Sequence, residues 1–382
     1  MIGVPVARIV GIEVRVQLGW ILVVALVSAL AVSQVSAAAP GLPGAAQWLL
    51  GLIVGVGFFL SAMVHDLAHG LVAKRRGIAV PSLLISFFGG TSPMDPASSV
   101  SSDDLAIALS GPLVSTALGL VLAAIAGLVG TGGPALILAV GQLIAVLAVL
   151  NLMLGLVNFV PSYPMDGGRI VRALAWRRSG SVNAGTLASA TVGRITGGVV
   201  LVGGTAAVLV GETSNGLMVI LSGWFLILSS RAMRERVKVE TLIGGMAVGE
   251  VMERDVSTVH ANLTVDTIAA RLLDGEDPIS AVPVVDGDVV AGMIGVAQIR
   301  KLRPARRAEA RVGEVMIRPP RMPILKLDQS LISAIEELQR AGLDGAPVIS
   351  DDKLVGVLTR RSIGAAVAAR REAGNPGSGS TP

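Results

Sequence analysis

Six long apolar runs dominate this chain and restrict the folds that it can adopt. Of the 382 residues, 52% are hydrophobic and only 15% are charged, whereas soluble domains carry roughly 25% charged residues. Helical runs of this length match the apolar thickness of a bilayer. The predicted spans are residues 18–38, 46–74, 105–130, 136–160, 184–210 and 217–230. We therefore expect a polytopic α-helical membrane protein with six transmembrane helices.

Lys and Arg residues are concentrated at alternate ends of these runs. They lie near the N-terminus and after the second, fourth and sixth runs, while the loops at 34–47, 128–135 and 211–216 contain neither residue. By the positive-inside rule this asymmetry places both termini in the cytoplasm, and the expected location is the plasma membrane. The N-terminus lacks the pattern of a cleavable signal peptide, so the first run is expected to remain as a span. The same charge distribution argues against a nucleic-acid partner.

His65 and His69 lie four residues apart within the second apolar run, with Asp66 between them. On a helix this spacing places both imidazoles on one face, where they can bind the same metal ion. Ionisable residues inside a span are costly unless they serve a function. The chain has no cysteine, so any metal must be held by His, Asp or Glu. Asp166, which follows the fourth run beside Gly167, is the best candidate for a third ligand.

A catalytic zinc site takes three protein ligands and leaves a fourth position for water. The expected cofactor is therefore one Zn²⁺ per chain, bound by His65, His69 and Asp166. A carboxylate beside the water can accept its proton and pass it to a leaving amine. In an H-E-x-x-H helix this carboxylate is the Glu after the first His. Here that position is Asp66, which is one methylene shorter.

Three other segments carry expectations about structure. Residues 78–92, an apolar stretch that contains two adjacent glycines, are predicted to form a short hairpin or edge strand beside the membrane. Gly111 and Pro112 lie inside the third run and are interpreted as a packing kink. Asn158 ends the fourth run, where one interpretation is that it only caps the helix.

The C-terminal part contains an internal repeat. Residues 248–252 recur as 312–316, and the same offset of 64 residues carries Gly292 onto Gly356. Each copy reads strand-helix-strand-strand-helix, so we expect a soluble tandem pair of one small α/β module. The predicted organisation is a membrane domain at 1–240, modules at 244–306 and 307–370, and a flexible tail at 371–382.

The order of these motifs resembles the site-2 protease family of intramembrane zinc metalloproteases, peptidase family M50. The resemblance covers about residues 18–370 and rests on the His65–His69 helix followed by N-x-x-P-x-x-x-x-D-G at 158–167. It implies hydrolysis of a peptide bond in or near the transmembrane segment of a membrane-protein substrate. It also implies zinc bound by His65, His69 and Asp166, and a substrate presented as an extended strand along 78–92. Asn158 would then contact the substrate backbone or the oxyanion.

The tandem module resembles a pair of cystathionine-β-synthase (CBS) domains, which some bacterial and archaeal members of the family carry. Such pairs often bind adenine nucleotides through an acidic residue near the end of a G-h-h-T-x-x-D stretch. Here Gln298 and Ser362 occupy that position. Their presence argues against an adenine nucleotide and favours a regulatory contact or a homodimer.

Asp66 departs from the family pattern, which has Glu at this position. A shorter arm moves the carboxylate by roughly an ångström, and misplacement on that scale can lower a rate by about 10²-fold. A second interpretation is therefore a metal-binding membrane protein of the same fold that is proteolytically weak or inactive. A third is an ion transporter with CBS domains. A transporter would need polar residues spread through several spans, whereas here they are concentrated around one site.

Overall fold

The computed structural model describes residues 3–86, 100–129, 134–273, 281–287, 289–351 and 353–373. The chain divides into two compact units, Met1–Val237 and Lys238–Pro382. The first unit contains the predicted spans and the second contains the repeat.

Seven helices follow one another in the first unit, and all but the fifth are long and apolar enough to cross a membrane. They are α1 (Trp20–Ala38), α2 (Gly44–Arg75), α3 (Ser101–Val129), α4 (Ala135–Asn158), α5 (Asp166–Ser179), α6 (Val182–Leu209) and α7 (Thr213–Ile243). Large apolar side chains such as Leu22, Leu120 and Val199 remain exposed on these helices, as expected for surfaces that contact lipid. The six predicted spans correspond to these six helices, which makes the chain a multi-pass membrane protein.

A small sheet accompanies the helices. Strands β1 (Val4–Ile9) and β2 (Ile12–Val16) form an antiparallel hairpin, which is not predicted from the sequence. The two turn residues, Val10 and Gly11, both have positive φ, at 50° and 78°, as in a type I′ turn. Because valine is uncommon at such a position, the hairpin has no local sequence signal.

Strand β3 (Ser82–Ile85) pairs in parallel with β2 and forms one edge of the described sheet, whose order is β1-β2-β3. This strand falls within the segment 78–92 that was expected to be extended. The remainder of the predicted hairpin, residues 87–92, lies outside the described residues.

Helix α5 lies between the fourth and fifth spans and is not among the sequence predictions. It begins at Asp166 and ends at Ser179, and Gly180 follows with a φ of +71°, the left-handed cap that terminates many helices. After it, α6 and α7 approach closely at glycines. A Cβ added to Gly197 would lie 2.8 Å from the Gly223 carbonyl oxygen, and one added to Gly204 would lie 2.9 Å from that of Gly216. Small residues of this kind let membrane helices pack backbone to backbone.

The second unit repeats one α/β arrangement. The first copy contains α8 (Val248–Val251), β4 (Val259–His260), α9 (Val265–Leu273), β5 (Ala281–Asp286), β6 (Val289–Gly295), α10 (Val296–Arg300) and α11 (Pro304–Arg307). The second contains α12 (Val312–Val315), α13 (Leu331–Ala341), β7 (Gly345–Ser350), β8 (Lys353–Thr359) and α14 (Arg360–Ala373). The pair Ala281–Gly295 of the first hairpin recurs as Gly345–Thr359 in the second, at the 64-residue offset. The predicted fold class is confirmed.

The two copies exchange their first helices. Val248 and Val251 of α8 belong to the buried apolar cluster of the second copy, with Leu331 and Leu358. Conversely, Val312 of α12 lies in the cluster of the first copy. Backbone hydrogen bonds accompany each exchange, for example from Val248 N to the Gln329 carbonyl and from Val312 N to the Leu263 carbonyl, both at 2.9 Å. Each copy therefore completes its core with a helix that the sequence repeat assigns to the other.

Candidate metal centre

Helix α2 carries both histidines in one uninterrupted helix. Their side chains face each other edge to face, with ring centroids 5.0 Å apart and an interplanar angle of 78°. His65 is only 4% exposed. The four-residue spacing thus places two imidazoles together inside a helix of membrane-spanning length, as the sequence predicted.

Helix α5 supplies the third side chain. Asp166 is its first residue, where the helix dipole favours a carboxylate. Gly167 allows α5 to start close to the preceding loop, because a Cβ there would lie 2.2 Å from the Val160 carbonyl oxygen. Gly168 is held from the other side, since Ser189 Oγ donates a hydrogen bond of 2.6 Å to its carbonyl. These contacts therefore position the start of α5, and with it the backbone of Asp166.

Asp166 meets both imidazoles with one oxygen. Its Oδ2 lies 3.1 Å from His65 Nε2 and 3.2 Å from His69 Nε2. Burial by itself raises the pKa of the Asp166 carboxyl, but the imidazoles of His69 and His65 outweigh it and hold that pKa well below its ordinary range. A lowered pKa favours the ionised carboxylate, which is the form that binds a metal.

Helix α3 orients the two imidazoles from behind. His69 Nδ1 lies 2.7 Å from the Ile107 carbonyl oxygen, and His65 Nδ1 lies 2.9 Å from Ser115 Oγ. A carbonyl only accepts hydrogen bonds, so Nδ1 of His69 must carry a proton. In the neutral ring the lone pair is then on Nε2, on the side of Asp166. Such hydrogen bonds to the second ring nitrogen are the usual supports of metal-bound histidine.

Gly111 provides the space in which these atoms meet. A Cβ at this position would lie 2.3 Å from His69 Nε2 and 2.6 Å from His65 Nε2. Any side chain on Gly111 would therefore occupy the place where the two nitrogens converge. The interpretation of Gly111 as part of a packing kink is incomplete, since the residue also lines the site.

The donor set fits a zinc ion. With bonds of about 2.0–2.1 Å, tetrahedral ligands lie about 3.3 Å from one another, close to the observed 3.1 and 3.2 Å. A ligand atom of Asp66 also lies within 4.8 Å of those of His65 and His69. Two carboxylates thus stand beside the imidazoles. We take Asp166 as the better placed third ligand, because it contacts both Nε2 atoms.

A buried ion-pair cluster lies next to this site and was not predicted from the sequence. Asp104, near the start of α3, is 1% exposed. Its carboxylate accepts two hydrogen bonds from Arg172, at 3.0 and 2.7 Å, and one from Arg169, at 3.3 Å. Both arginines belong to α5, so the cluster joins the helix behind the imidazoles to the helix that carries Asp166.

Comparisons with known proteins show which families the two units resemble. The model of Peptidase family M50 matches residues 53–200, which include His65, His69 and Asp166, and the CBS domain model matches residues 248–304 and 312–368. Rip3 of Mycobacterium tuberculosis, described as a candidate zinc metalloprotease, is 30% identical over 94% of this chain and 91% of its own. The chain belongs to peptidase family M50.

Similarity to this M50 peptidase also comes from Methanocaldococcus jannaschii, both in sequence and in a solved structure. A zinc metalloprotease from that organism is 25% identical over 93% of both chains. The solved structure of a site-2 protease aligns with 61% of this chain and 95% of its own, at 25% identity and a TM-score of 0.38. The predicted family, with its tandem CBS pair, and the predicted enzyme class, a zinc metalloprotease, are confirmed.

For the two other predicted site residues of the M50 domain, Asn158 and Asp66, the structure does not assign a role. Asn158 is the last residue of α4, is half-buried, and donates a hydrogen bond of 2.9 Å from Nδ2 to the Leu154 carbonyl within its own helix. This contact is the one expected for a residue that supports the helix end. Its role toward a substrate stays a prediction, as does the role of Asp66 as the base.

Proposed function

We propose that this M50 peptidase is an intramembrane endopeptidase that hydrolyses a peptide bond in or near the transmembrane segment of a membrane-protein substrate. The observation that carries the proposal is that Asp166 Oδ2 lies 3.1 Å from His65 Nε2 and 3.2 Å from His69 Nε2, with both histidines on a membrane-length helix. We place the protein in the plasma membrane. By the charge bias of the loops, both termini are cytoplasmic and the site lies toward the cytoplasmic side.

In this proposal His65, His69 and Asp166 hold one zinc ion per chain. When bound, zinc supplies Lewis acidity, which makes a water molecule acidic near pH 7 and polarises a carbonyl. Asp66 accepts the proton of the water that attacks the scissile carbonyl carbon. It then passes this proton to the amine nitrogen as the carbon–nitrogen bond breaks. Ile107 and Ser115 keep the imidazoles in their orientation throughout.

The substrate segment has to leave its helix before cleavage, because a helical peptide bond is shielded by its own hydrogen bonds. β3 suits this step, since it forms an edge of the described sheet and an extended chain can add to such an edge. We propose that the substrate pairs there, and that the Asn158 side chain contacts its backbone or the oxyanion.

We propose a membrane domain at 1–240, a CBS pair at 244–306 and 307–370, and a tail at 371–382. The pair acts as a regulatory module or a homodimer contact. An adenine nucleotide is not part of this proposal. Gln298 Oε1 accepts a hydrogen bond from Gly295 N at 3.0 Å, and Ser362 Oγ accepts one from Thr359 N at 3.1 Å. Both side chains thus cap helices at the position where a ribose-binding acid is expected.

The first test is the zinc content of the purified full-length protein. We expect about one zinc per chain in the parent, and less than a tenth of that in His65→Ala and in Asp166→Ala, because two ligands rarely retain zinc. His260→Ala is the matched control, since this exposed histidine lies in the CBS unit. A parent that binds no zinc after loading, or a His260→Ala variant that loses it, would contradict the proposed site.

The second test separates a protease from a silent metal-binding relative, a possibility raised by the shorter Asp66 arm. It measures cleavage of a panel of single-span peptides that carry a fluorophore and a quencher. We expect Asp66→Asn to lower the rate by about 10² or more, and Asp66→Glu to equal or exceed the parent, with zinc retained in both. Equal rates for Asp66→Asn and the parent would exclude Asp66 as the base. No cleavage by either the parent or Asp66→Glu would favour the silent relative.

A further inference from the structure

The buried cluster formed by Asp104, Arg169 and Arg172 takes no part in the proposed chemistry, yet removing its charged groups from water costs free energy. The side chains of Asp104 and Arg169 are 1% and 9% exposed, and that of Arg172 is 26% exposed. Charges removed from water in this way persist only when they are paired and hydrogen-bonded with good geometry. Arg172 meets Asp104 with two nitrogens on two oxygens, which is the most directional form of such a pair.

This cluster joins the two helices that determine the metal centre. Three residues after Asp104, α3 offers the Ile107 carbonyl to His69, and further along it offers Ser115 to His65. On the other side, Arg169 follows Asp166 by three residues, or about one turn of α5. The relative position of α3 and α5 therefore sets how far Asp166 Oδ2 lies from the two Nε2 atoms.

We propose that Asp104 is a positioning residue of the metal centre. By holding Arg169 and Arg172 it fixes the start of α5 against α3, and so keeps the carboxylate ligand within reach of the two imidazole ligands. The proposal rests on the zinc site of the proposed function, but it is independent of whether the protein cleaves peptides. Its direct consequence is a dependence of zinc affinity on a residue that touches no ligand atom in the described contacts.

A neighbouring ion pair provides a matched comparison. Asp103 precedes Asp104 and accepts a hydrogen bond of 2.8 Å from Arg76 at the end of α2. The Arg76 side chain is 46% exposed, so solvent screens this pair and its contribution is small. Asp103→Asn thus removes one acidic charge from the same turn of the same helix without touching the buried cluster.

The experiment measures the zinc dissociation constant of the full-length protein by competition with a chelator, together with the visible absorption of the Co²⁺-loaded protein. We expect Asp104→Asn to weaken zinc binding by about 10- to 100-fold, the usual range for residues behind metal ligands, with the stoichiometry at saturation unchanged. The Co²⁺ bands, which report ligand geometry, should shift. Asp103→Asn should stay within about twofold of the parent and keep the parent spectrum.

Each of the possible outcomes either supports or overturns the positioning role of Asp104. If Asp104→Asn binds zinc as the parent does, or if Asp103→Asn loses the same affinity, the positioning role is wrong while the zinc site stands. If the parent itself binds no zinc, the proposed function and this inference fail together. If Asp104→Asn does not fold, Arg172→Lys replaces it, because lysine keeps the charge but loses the two-nitrogen contact. A several-fold loss of affinity with a shifted Co²⁺ spectrum supports the role, and parent values for this variant overturn it.

Discussion

The two units of this protein differ in whether they bury ionisable side chains. In the first unit, buried charged and ionisable groups (His65, Asp104, Asp166 and Arg169) come together around one site. In the second unit, the buried polar side chains among the described residues are Thr359 and Ser362, and they bond to each other at the start of one helix. Burying ionisable groups is expensive, and in the described part of the chain it is confined to the unit that carries the candidate metal centre. In the CBS pair, buried polarity serves helix capping.

The largest effect on the site of the first unit is expected when a substitution fills the space at Gly111. Gly111→Ala places a methyl group 2.3 Å from His69 Nε2, so the imidazoles must move apart. We expect loss of measurable zinc and a fall in peptide cleavage of at least about 100-fold. Zinc analysis and the fluorogenic peptides measure both. The control is Gly127→Ala on the same helix, where an added Cβ meets nothing within 4 Å. Retention of zinc by Gly111→Ala would show that the site is more open than its geometry indicates.

A smaller effect is expected from removing one support of the imidazoles. Ser115→Ala leaves His65 Nδ1 without its 2.9 Å partner but keeps all three ligands. Zinc affinity should fall by about tenfold, as measured by chelator competition. Ser222→Ala, an exposed serine that bonds within α7, should leave the affinity unchanged. If the two variants are equal, the hydroxyl of Ser115 does not orient the ring.

The smallest effects are expected in the CBS unit, and they should leave zinc untouched. Ser362→Ala removes a buried cap with hydrogen bonds to both the N–H and the carbonyl of Thr359. It should lower the local free energy of unfolding by about 1–2 kcal/mol. Gln298→Ala removes one partly exposed cap and should cost about 0.5–1 kcal/mol. Hydrogen exchange of the β7, β8 and β6 amides in the full-length protein measures both. A change of zinc affinity in either variant would contradict the separation of roles drawn above.

Much of this protein follows from local sequence pattern. Three features are visible in segments of a few tens of residues: the apolar runs of bilayer length, the spacing of His65 and His69, and the 64-residue repeat. Helix periodicity and bilayer thickness suffice to interpret them. The motif around Asp166 could be tied to the histidines through its resemblance to a family, although a hundred residues separate them.

Other features became visible only when distant segments met. In the sequence, Gly111 looks like a glycine that serves only helix packing, and its place beside the imidazoles depends on how α3 packs against α2. Asp104 looks like an ordinary acidic residue at a helix start, and its ion pair with Arg172 depends on how α5 packs against α3. The reciprocal packing of α8 and α12 is likewise invisible in the repeat, because the copies are equivalent in sequence and only their contacts show which core each helix completes. Periodicity and spacing along the chain determined the spans, the repeat and the histidine face. Contacts between segments far apart in sequence, which local propensity does not encode, decided how the metal centre is shaped and held.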